Sequence, residues 1–293
     1  TARMPLVPRP QLLETRDGIR LHALVWQSDA AREAPVVMLH GGGANAHWWD
    51  PLAQALSIHH PVFALDFRGH GDSDYPQSRQ VGAFNEDLES LVGWLGREDV
   101  ILIGHSMGAA VALDHACRFP ATGALVLVDL ARGGNPAVGR RARLALTLRR
   151  TYRTRAEAID RFRFLPESSH ASEALRAGIG AHSVREEPDG RFGYKFDPAW
   201  FALPSRPRPD LAALRCPTLL VRGCESLLLT RDAALAFIDD APTARLVEIA
   251  DSGHHVLIDQ PERLLATIES CFATLPGAAC AGSRNPAPPA TTT

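Results

Sequence analysis

The sequence predicts an α/β fold, in which a mostly parallel, twisted sheet carries helices on both faces and an additional segment is inserted. Apolar runs of strand length alternate along the chain with helical patterns. Several of these runs are continuous in Val, Ile and Leu, as is typical of parallel strands that are covered on both faces. The chain has 293 residues, of which 45% are hydrophobic, so it can fill a sizeable core. Such alternation indicates a parallel sheet between helices.

The individual elements follow from the spacing of apolar residues. Seven apolar runs have strand length, and they lie at 19–27, 35–39, 61–66, 99–104, 123–129, 217–222 and 244–250. Five segments have helical spacing, and they lie at 47–57, 83–96, 106–118, 230–240 and 260–274. The alternation assigns residues 1–130 and 211–275 to one common core.

The alternation of strands and helices breaks between residues 131 and 210. This segment is rich in Arg and helical in pattern at its start, and it carries Pro and Gly further on. We interpret it as a helical insertion in the core rather than a second independent domain. The last residues, 276–293, are small, polar and rich in Pro without an apolar period, which predicts a disordered tail.

Charge and composition narrow the classes of function. The formal net charge of −2 gives no reason to expect nucleic acid or an acidic membrane as a partner. The five cysteines form no C-x-x-C pair, so neither a disulfide framework nor a zinc site is indicated. No apolar run approaches 18 residues, and the first residues lack an apolar signal segment. We therefore expect a cytoplasmic protein with no membrane, nucleic acid, metal or cofactor partner.

One predicted strand ends in a serine between two glycines. Residues 101–108 read ILIGHSMG, and a helical pattern follows them. A G-x-S-x-G motif between a strand and a helix holds its serine at a sharp, strained turn. The helix after Ser106 would direct its positive end and its free N–H groups towards the site. A serine that only caps this helix is the structural alternative, but the strand before it and the helix after it favour a nucleophile.

Three further motifs stand in a fixed order around this serine. They are His40-Gly41-Gly42-Gly43 after the strand at 35–39, the run DFRGHGDS at 66–73, and Gly253-His254 followed by Asp259 and Pro261. Together with G-x-S-x-G, the motifs resemble the α/β-hydrolase family, and the resemblance covers nearly the whole chain. It implies a serine hydrolase whose nucleophile is Ser106 and whose insertion at 131–210 is a helical cap over the nucleophile.

The resemblance also assigns the base and the oxyanion hole. A serine hydroxyl is a poor nucleophile at neutral pH and needs an adjacent base. That base is His254, whereas His255 ranks lower because the motif places the histidine directly after the glycine. Two backbone N–H groups stabilise the tetrahedral oxyanion, and by resemblance they belong to Gly42 and Met107, with Gly43 as second choice.

The acid of the triad departs from the commoner family pattern. Many members place an Asp three residues after the glycine that ends the strand at 217–222, and here that position is Ser226. A hydroxyl cannot orient an imidazolium as a carboxylate does. Asp129 is the first candidate, because it ends a strand at the edge where open α/β sheets place their sites. Glu225, one residue before Ser226, is the alternative.

The insertion is the part of the sequence that bears on the substrate. It carries ten arginines against two acidic residues between 132 and 163, which suits an anionic substrate or, as we favour, a solvated helix face. Its aromatic residues suit a small-molecule ester or lactone that is apolar and of medium or large size, a class that includes macrolides. The predicted function is a metal-independent serine esterase or lactonase. Two alternatives stay open, a C–C bond hydrolase of a dienoic diketo acid and a non-catalytic ligand-binding homologue, and the oligomeric state is left open too.

Overall fold

An eight-stranded sheet organises the computed structural model, which describes residues 6–28, 31–167, 170–204 and 206–275. The strands along the chain are β1 (Arg9–Glu14), β2 (Arg20–Trp26), β3 (Val36–Leu39), β4 (Val62–Asp66), β5 (Ile101–His105), β6 (Ala124–Val128), β7 (Thr151–Tyr152), β8 (Val184–Glu186), β9 (Phe192–Tyr194), β10 (Thr218–Gly223) and β11 (Ala244–Ile249). The large sheet has the order β1-β2-β4-β3-β5-β6-β10-β11. Its six strands from β4 to β11 are parallel, and β2 and β1 join by antiparallel pairing.

Helices cover both faces of this sheet. The α-helices of the described residues are α1 (Asp50–Leu56), α2 (Ala83–Leu95), α3 (Met107–Arg118), α4 (Pro136–Thr147), α5 (Arg155–Asp160), α6 (Glu173–Ser183), α7 (Arg231–Asp240), α8 (Val256–Asp259) and α9 (Pro261–Phe272), and of these α4, α5 and α6 belong to the segment at 131–210. Successive side chains of a strand point to opposite faces, so Ile103 of β5 packs in the apolar layer with α1 and α9. Its neighbour Leu102 packs in the layer with α2, α3 and α7. The predicted fold class is confirmed.

The seven predicted strands of the core all form, with bounds within two residues of those expected. Strand β1 was not predicted. Only Leu13 is buried among its six residues, and Pro10 lies within it. A proline is tolerated in an edge strand because no ladder partner needs its missing N–H, but such a strand gives little apolar signal in the sequence.

The segment at 131–210 contains α4, α5 and α6 together with a three-stranded antiparallel sheet of order β7-β9-β8. The small sheet accompanies the helices expected in this segment, and the sequence did not indicate it because strands of two or three residues are too short to show a period. The segment packs against the carboxyl edge of the large sheet, where a Cβ added to Gly42 would lie 2.7 Å from the Phe201 ring. It thus covers the edge that carries Ser106.

The sequence also predicts a disordered tail and no helix that crosses a membrane. The predicted disordered tail at 276–293 lies outside the described residues. Within the described ranges, no helix combines the length and the apolar character that crossing a membrane requires.

Candidate active site

Ser106 lies on the sharp turn between β5 and α3, with φ 52° and ψ −111°. Non-glycine residues rarely adopt positive φ, and such strain is typical of functional positions. Both flanking glycines are required by close backbone contacts. A Cβ on Gly104 would lie 2.4 Å from the carbonyl oxygen of Gly108, and one on Gly108 would lie 2.3 Å from that of Leu39. These contacts fit α3 tightly against β3 and β5 and hold the serine at the top of the sheet.

His254 connects this serine to a buried carboxylate. It lies on the loop between β11 and α8, and its Nε2 is 2.9 Å from the Ser106 hydroxyl. Its Nδ1 is 2.7 Å from Oδ1 of Asp129. A carboxylate accepts the proton of Nδ1, so Nε2 is left bare and faces the serine hydroxyl. The geometry is that of a general base held towards a nucleophile.

Asp129 directly follows β6, is fully buried and has a positive φ of 46°. Besides the imidazole, its carboxylate accepts the backbone N–H of Gly223 at 3.0 Å and the hydroxyl of Ser226 at 2.6 Å. Ser226 is thus part of the site, as a donor to the acid. In the sequence, Ser226 is distinguished only by not being an acid, and no local signal marks its contact with a residue 97 positions away.

The alternative acid Glu225 does not reach His254. Its side chain is 51% exposed, and its carboxylate pairs with Nε2 of His170 at 2.9 Å. The described structure therefore brings Asp129, and not Glu225, to the imidazole. The loop after β10 turns the side chain of Ser226 towards the sheet edge and that of Glu225 towards solvent.

His255 is engaged elsewhere. Its Nε2 donates to the carbonyl oxygen of Pro166 at 2.7 Å. Burial lowers its pKa to about 3, and a proton on neighbouring His254 would act in the same direction. His255 is consequently a neutral, buried residue that joins the loop of His254 to the inserted segment.

The N–H groups of Gly42 and Met107 are open to a ligand. Met107 is the first residue of α3, where an N–H has no partner within the helix. Among the described residues no hydrogen bond uses the amide of Gly42, whereas the amide of Gly43 donates to Nε2 of His70 at 3.4 Å. Burial lowers the pKa of His70 to about 3, so its Nε2 is a neutral acceptor. Because the amide of Gly43 is engaged by His70, Gly42 is favoured over Gly43 as the N–H donor that accompanies Met107 at a ligand oxygen.

Three imidazoles lie close enough together to be examined as metal ligands. Nitrogens of His105, His254 and His255 lie within 4.8 Å of one another. His254 is bound on both sides by Asp129 and Ser106, and Nε2 of His105 donates to the carbonyl oxygen of His254 at 3.0 Å. Burial and the neighbouring imidazoles lower the pKa of His105 well below its usual value. These hydrogen bonds direct His254 to Ser106 and the other two imidazoles to backbone carbonyl groups, rather than all three to a common point.

A cavity of about 520 Å³ opens onto Ser106. Its walls near the serine are apolar and come from Met107, Ala110, Leu146 and Phe201. Its volume lies in the range of sites for small-molecule ligands. The cavity is therefore large enough for a medium-sized substrate whose scissile group meets the serine.

Known proteins share this architecture over most of the chain. The sequence model of the alpha/beta hydrolase family matches residues 36–267. The chain belongs to the alpha/beta hydrolase family. The match begins at β3 and extends into α9, so it includes Gly42, Ser106, Asp129 and His254.

Individual members of the alpha/beta hydrolase family are distant relatives of this chain. It is 29% identical to esterase Rv0045c of Mycobacterium tuberculosis, and the alignment covers 91% of each protein. It is 29% identical to 2-(acetamidomethylene)succinate hydrolase of Mesorhizobium japonicum over 80% of this chain and 86% of that one. The crystal structure of an alpha/beta hydrolase from Novosphingobium aromaticivorans superposes with a TM-score of 0.77 at 26% identity, covering 92% of this chain and 99% of that one.

Proposed function

We propose that this alpha/beta hydrolase is a serine hydrolase that cleaves a carboxylic ester or lactone through an acyl-enzyme. The observation that carries the proposal is the continuous hydrogen-bonded series Asp129–His254–Ser106, with distances of 2.7 and 2.9 Å. A serine, a bare imidazole nitrogen and a buried carboxylate in this order are the parts that activate a hydroxyl group.

In the acylation step, Oγ of Ser106 attacks the carbonyl carbon while Nε2 of His254 takes the hydroxyl proton. The N–H groups of Gly42 and Met107 stabilise the oxyanion that forms. The protonated imidazole then gives its proton to the leaving alcohol, and the acyl group stays on the serine. In the second step His254 removes a proton from water, the water oxygen attacks the acyl carbon, and the free acid and the serine hydroxyl are restored.

Asp129 stabilises the imidazolium that exists between these proton transfers. Its carboxylate accepts Nδ1–H and thereby fixes the tautomer and the ring orientation. The donors from Gly223 and Ser226 hold the carboxylate in place, since several hydrogen bonds fix the position of a buried carboxylate.

The ester class is supported by one relative and by the cavity. The relative from Mycobacterium tuberculosis is named an esterase, and it aligns with 91% of this chain. The apolar wall beside Ser106 suits the hydrocarbon part of an ester or lactone. A large lactone of macrolide type is a finer proposal within this class, and it belongs in the substrate panel.

A second candidate is the hydrolysis of a bond other than an ester, such as the C–C bond of a dienoic diketo acid. The relative named 2-(acetamidomethylene)succinate hydrolase favours it, because its name gives a succinate derivative and no ester as the substrate. The same three side chains would serve, so the substrate panel, and not the triad geometry, separates the two candidates.

The test combines covalent labelling with turnover. A fluorophosphonate probe and short p-nitrophenyl esters are offered to the wild type, to Ser106→Ala and to the control Ser90→Ala, whose serine lies on α2. We expect Ser106→Ala to lose labelling and to lose at least about 10⁴-fold in kcat, while Ser90→Ala behaves as wild type. A wild type that is neither labelled nor active on the ester, lactone, macrolide and diketo acid panel would instead be a ligand-binding member of the family.

A further inference from the structure

Four arginines reach the cavity of Ser106, namely Arg132, Arg143, Arg206 and Arg208. Two of them have partners. Arg143 donates to the backbone carbonyl oxygens of Phe201 and Leu203, and so ties α4 to the segment that follows the small sheet. Arg206 faces the carboxylate of Asp114 at 3.5 Å. These two guanidinium groups have structural contacts that account for their position.

The other two arginines have no such partner. Within the described residues, neither Arg132 nor Arg208 has a carboxylate within 4.0 Å. Burial lowers the pKa of Arg132, the positive charge of Arg208 lowers it further, and the negative charge of Asp240 raises it. Two like charges held close together are unfavourable unless an anion compensates them.

Local structure restrains the Arg132 side chain and the Arg208 backbone. The Arg132 guanidinium lies 5.5 Å from the ring centroid of Phe237, a cation–π contact that fixes its head group. Arg208 stands between two prolines, and a residue before proline is restricted to extended conformations. The Arg132 head group is therefore partly ordered before a ligand binds, which lowers the entropic cost of binding, whereas Arg208 supplies an exposed guanidinium on a restricted backbone.

The extent of the cavity and the reach of the chain from Asp129 to Arg132 limit the length of a ligand. The cavity follows α3 from Ser106 to Asp114, a length of roughly 12 Å at the helical rise per residue. Arg132 follows Asp129 by three residues, so their Cα atoms are at most about 11 Å apart. The lining between serine and arginines includes apolar Leu130 and Leu228.

We infer that the site takes substrates with an anionic oxygen group, a carboxylate or a phosphate, at the end opposite the scissile bond. This anion binds between Arg132 and Arg208, and the apolar stretch of the cavity holds the chain that connects it to the carbonyl group at Ser106. Guanidinium groups match both anions by paired N–H donors. The inference rests on the proposed ester hydrolysis and adds its substrate class.

The experiment compares two esters of equal chain length, p-nitrophenyl octanoate and the p-nitrophenyl monoester of octanedioic acid. We expect the wild type to favour the carboxylate-terminated ester in kcat/KM by about tenfold, the effect of one hydrogen bond to a charged group. Arg132→Gln, Arg208→Gln and the double variant should remove this preference, mainly by raising KM for the carboxylate-terminated ester. Arg141→Gln, an exposed change on α4 outside the cavity lining, is the matched control.

Competitive inhibition by octanoate and by octyl phosphate then distinguishes the carboxylate from the phosphate. The stronger inhibitor identifies the preferred anion, and its inhibition should vanish in the double variant. Equal use of both esters by the wild type, or a preference that survives the double variant, contradicts the anion site. Those results would leave ester hydrolysis intact, because Ser106-dependent turnover of the neutral ester tests that activity separately.

Discussion

Ser226 and His254 share one oxygen of Asp129. The hydroxyl lies 2.6 Å and Nδ1 lies 2.7 Å from Oδ1 of the carboxylate. Position 226 is where many family members carry the acid, so the two acid positions of the family converge on one point beside the imidazole. The chain can supply the carboxylate from the end of β6 or from the loop after β10, and here it does so from β6.

This convergence predicts that the acid can be moved. Asp129→Ala should lower kcat by about 10³- to 10⁴-fold, because the imidazole loses its orienting partner. Adding Ser226→Asp to that variant should recover at least about tenfold of the loss, since the new carboxylate stands within reach of Nδ1. Steady-state turnover of a p-nitrophenyl ester measures both effects.

Glu225→Gln is the matched control for these acid variants, and it should retain near-wild-type activity because its carboxylate faces solvent. A loss in Glu225→Gln as large as that in Asp129→Ala would contradict the assignment of Asp129.

The sequence identified Ser106 and His254 as candidates through motifs, but it left two carboxylates open. Motifs are local, and the choice of acid is not, because Asp129 and His254 are 125 residues apart in the chain. Both Asp129 and Glu225 follow strands that are neighbours in the sheet, so strand order alone favours neither. Only the direction of each side chain separates them.

The sharp turn at Ser106 depends on how closely α3 approaches the sheet. Gly108, in the first turn of α3, contacts the backbone of Leu39 and His40, which leads into the loop with the proposed oxyanion donor. A side chain at this position would move that loop. Gly104 and Gly108 are therefore needed for the packing of α3 against the sheet as much as for the turn itself.

Gly108→Ala should accordingly be destabilising, by about 1–3 kcal/mol as is typical of overpacked sites, and should lower turnover at least about tenfold as the oxyanion donors shift. Gly93→Ala in α2 is the control, because nothing lies within 4 Å of its added Cβ, and it should leave stability unchanged or raise it by up to about 1 kcal/mol. Urea unfolding midpoints and ester turnover report both properties. Equal midpoints for the two variants would contradict the packing argument.

The inserted segment uses most of its arginines as structural braces. Arg149 pairs with Glu187 at 2.7 Å, and Arg163 donates to backbone carbonyl groups nearby. The excess of arginine in the sequence therefore does not by itself indicate an anionic substrate. Arg132 and Arg208 differ from these residues because they reach the cavity and lack acidic partners within the described part of the chain.

Buried neutral histidines make the free energy of unfolding of the whole protein depend on pH. His70 and His255 are buried, and burial lowers the pKa of each to about 3. An unfolded chain titrates its histidines near pH 6.5. Between pH 6.5 and 3 the unfolded state therefore binds protons that the folded state does not, and the free energy of unfolding falls as the pH is lowered.

His255→Gln should remove one such contribution. The wild type should lose up to about 1.4 kcal/mol per pH unit for each of these histidines below pH 6.5, and the variant should show a correspondingly smaller slope. Urea unfolding at pH 7, 6 and 5 measures the slopes, with the exposed His59→Gln as control. An unchanged slope in His255→Gln would show that this imidazole is not held neutral by the fold.

From the sequence alone, apolar period and glycine spacing predict the order of the core elements along the chain and the turn at Ser106, because both signals act within a few residues. The resemblance to the family adds His254. Only the three-dimensional arrangement shows that Asp129 meets His254, that Ser226 donates to the acid, that the insertion contains a sheet and that Arg132 and Arg208 line one cavity. Each of these depends on side chains that are distant in the chain and that the strand order and the loops at the carboxyl edge bring together.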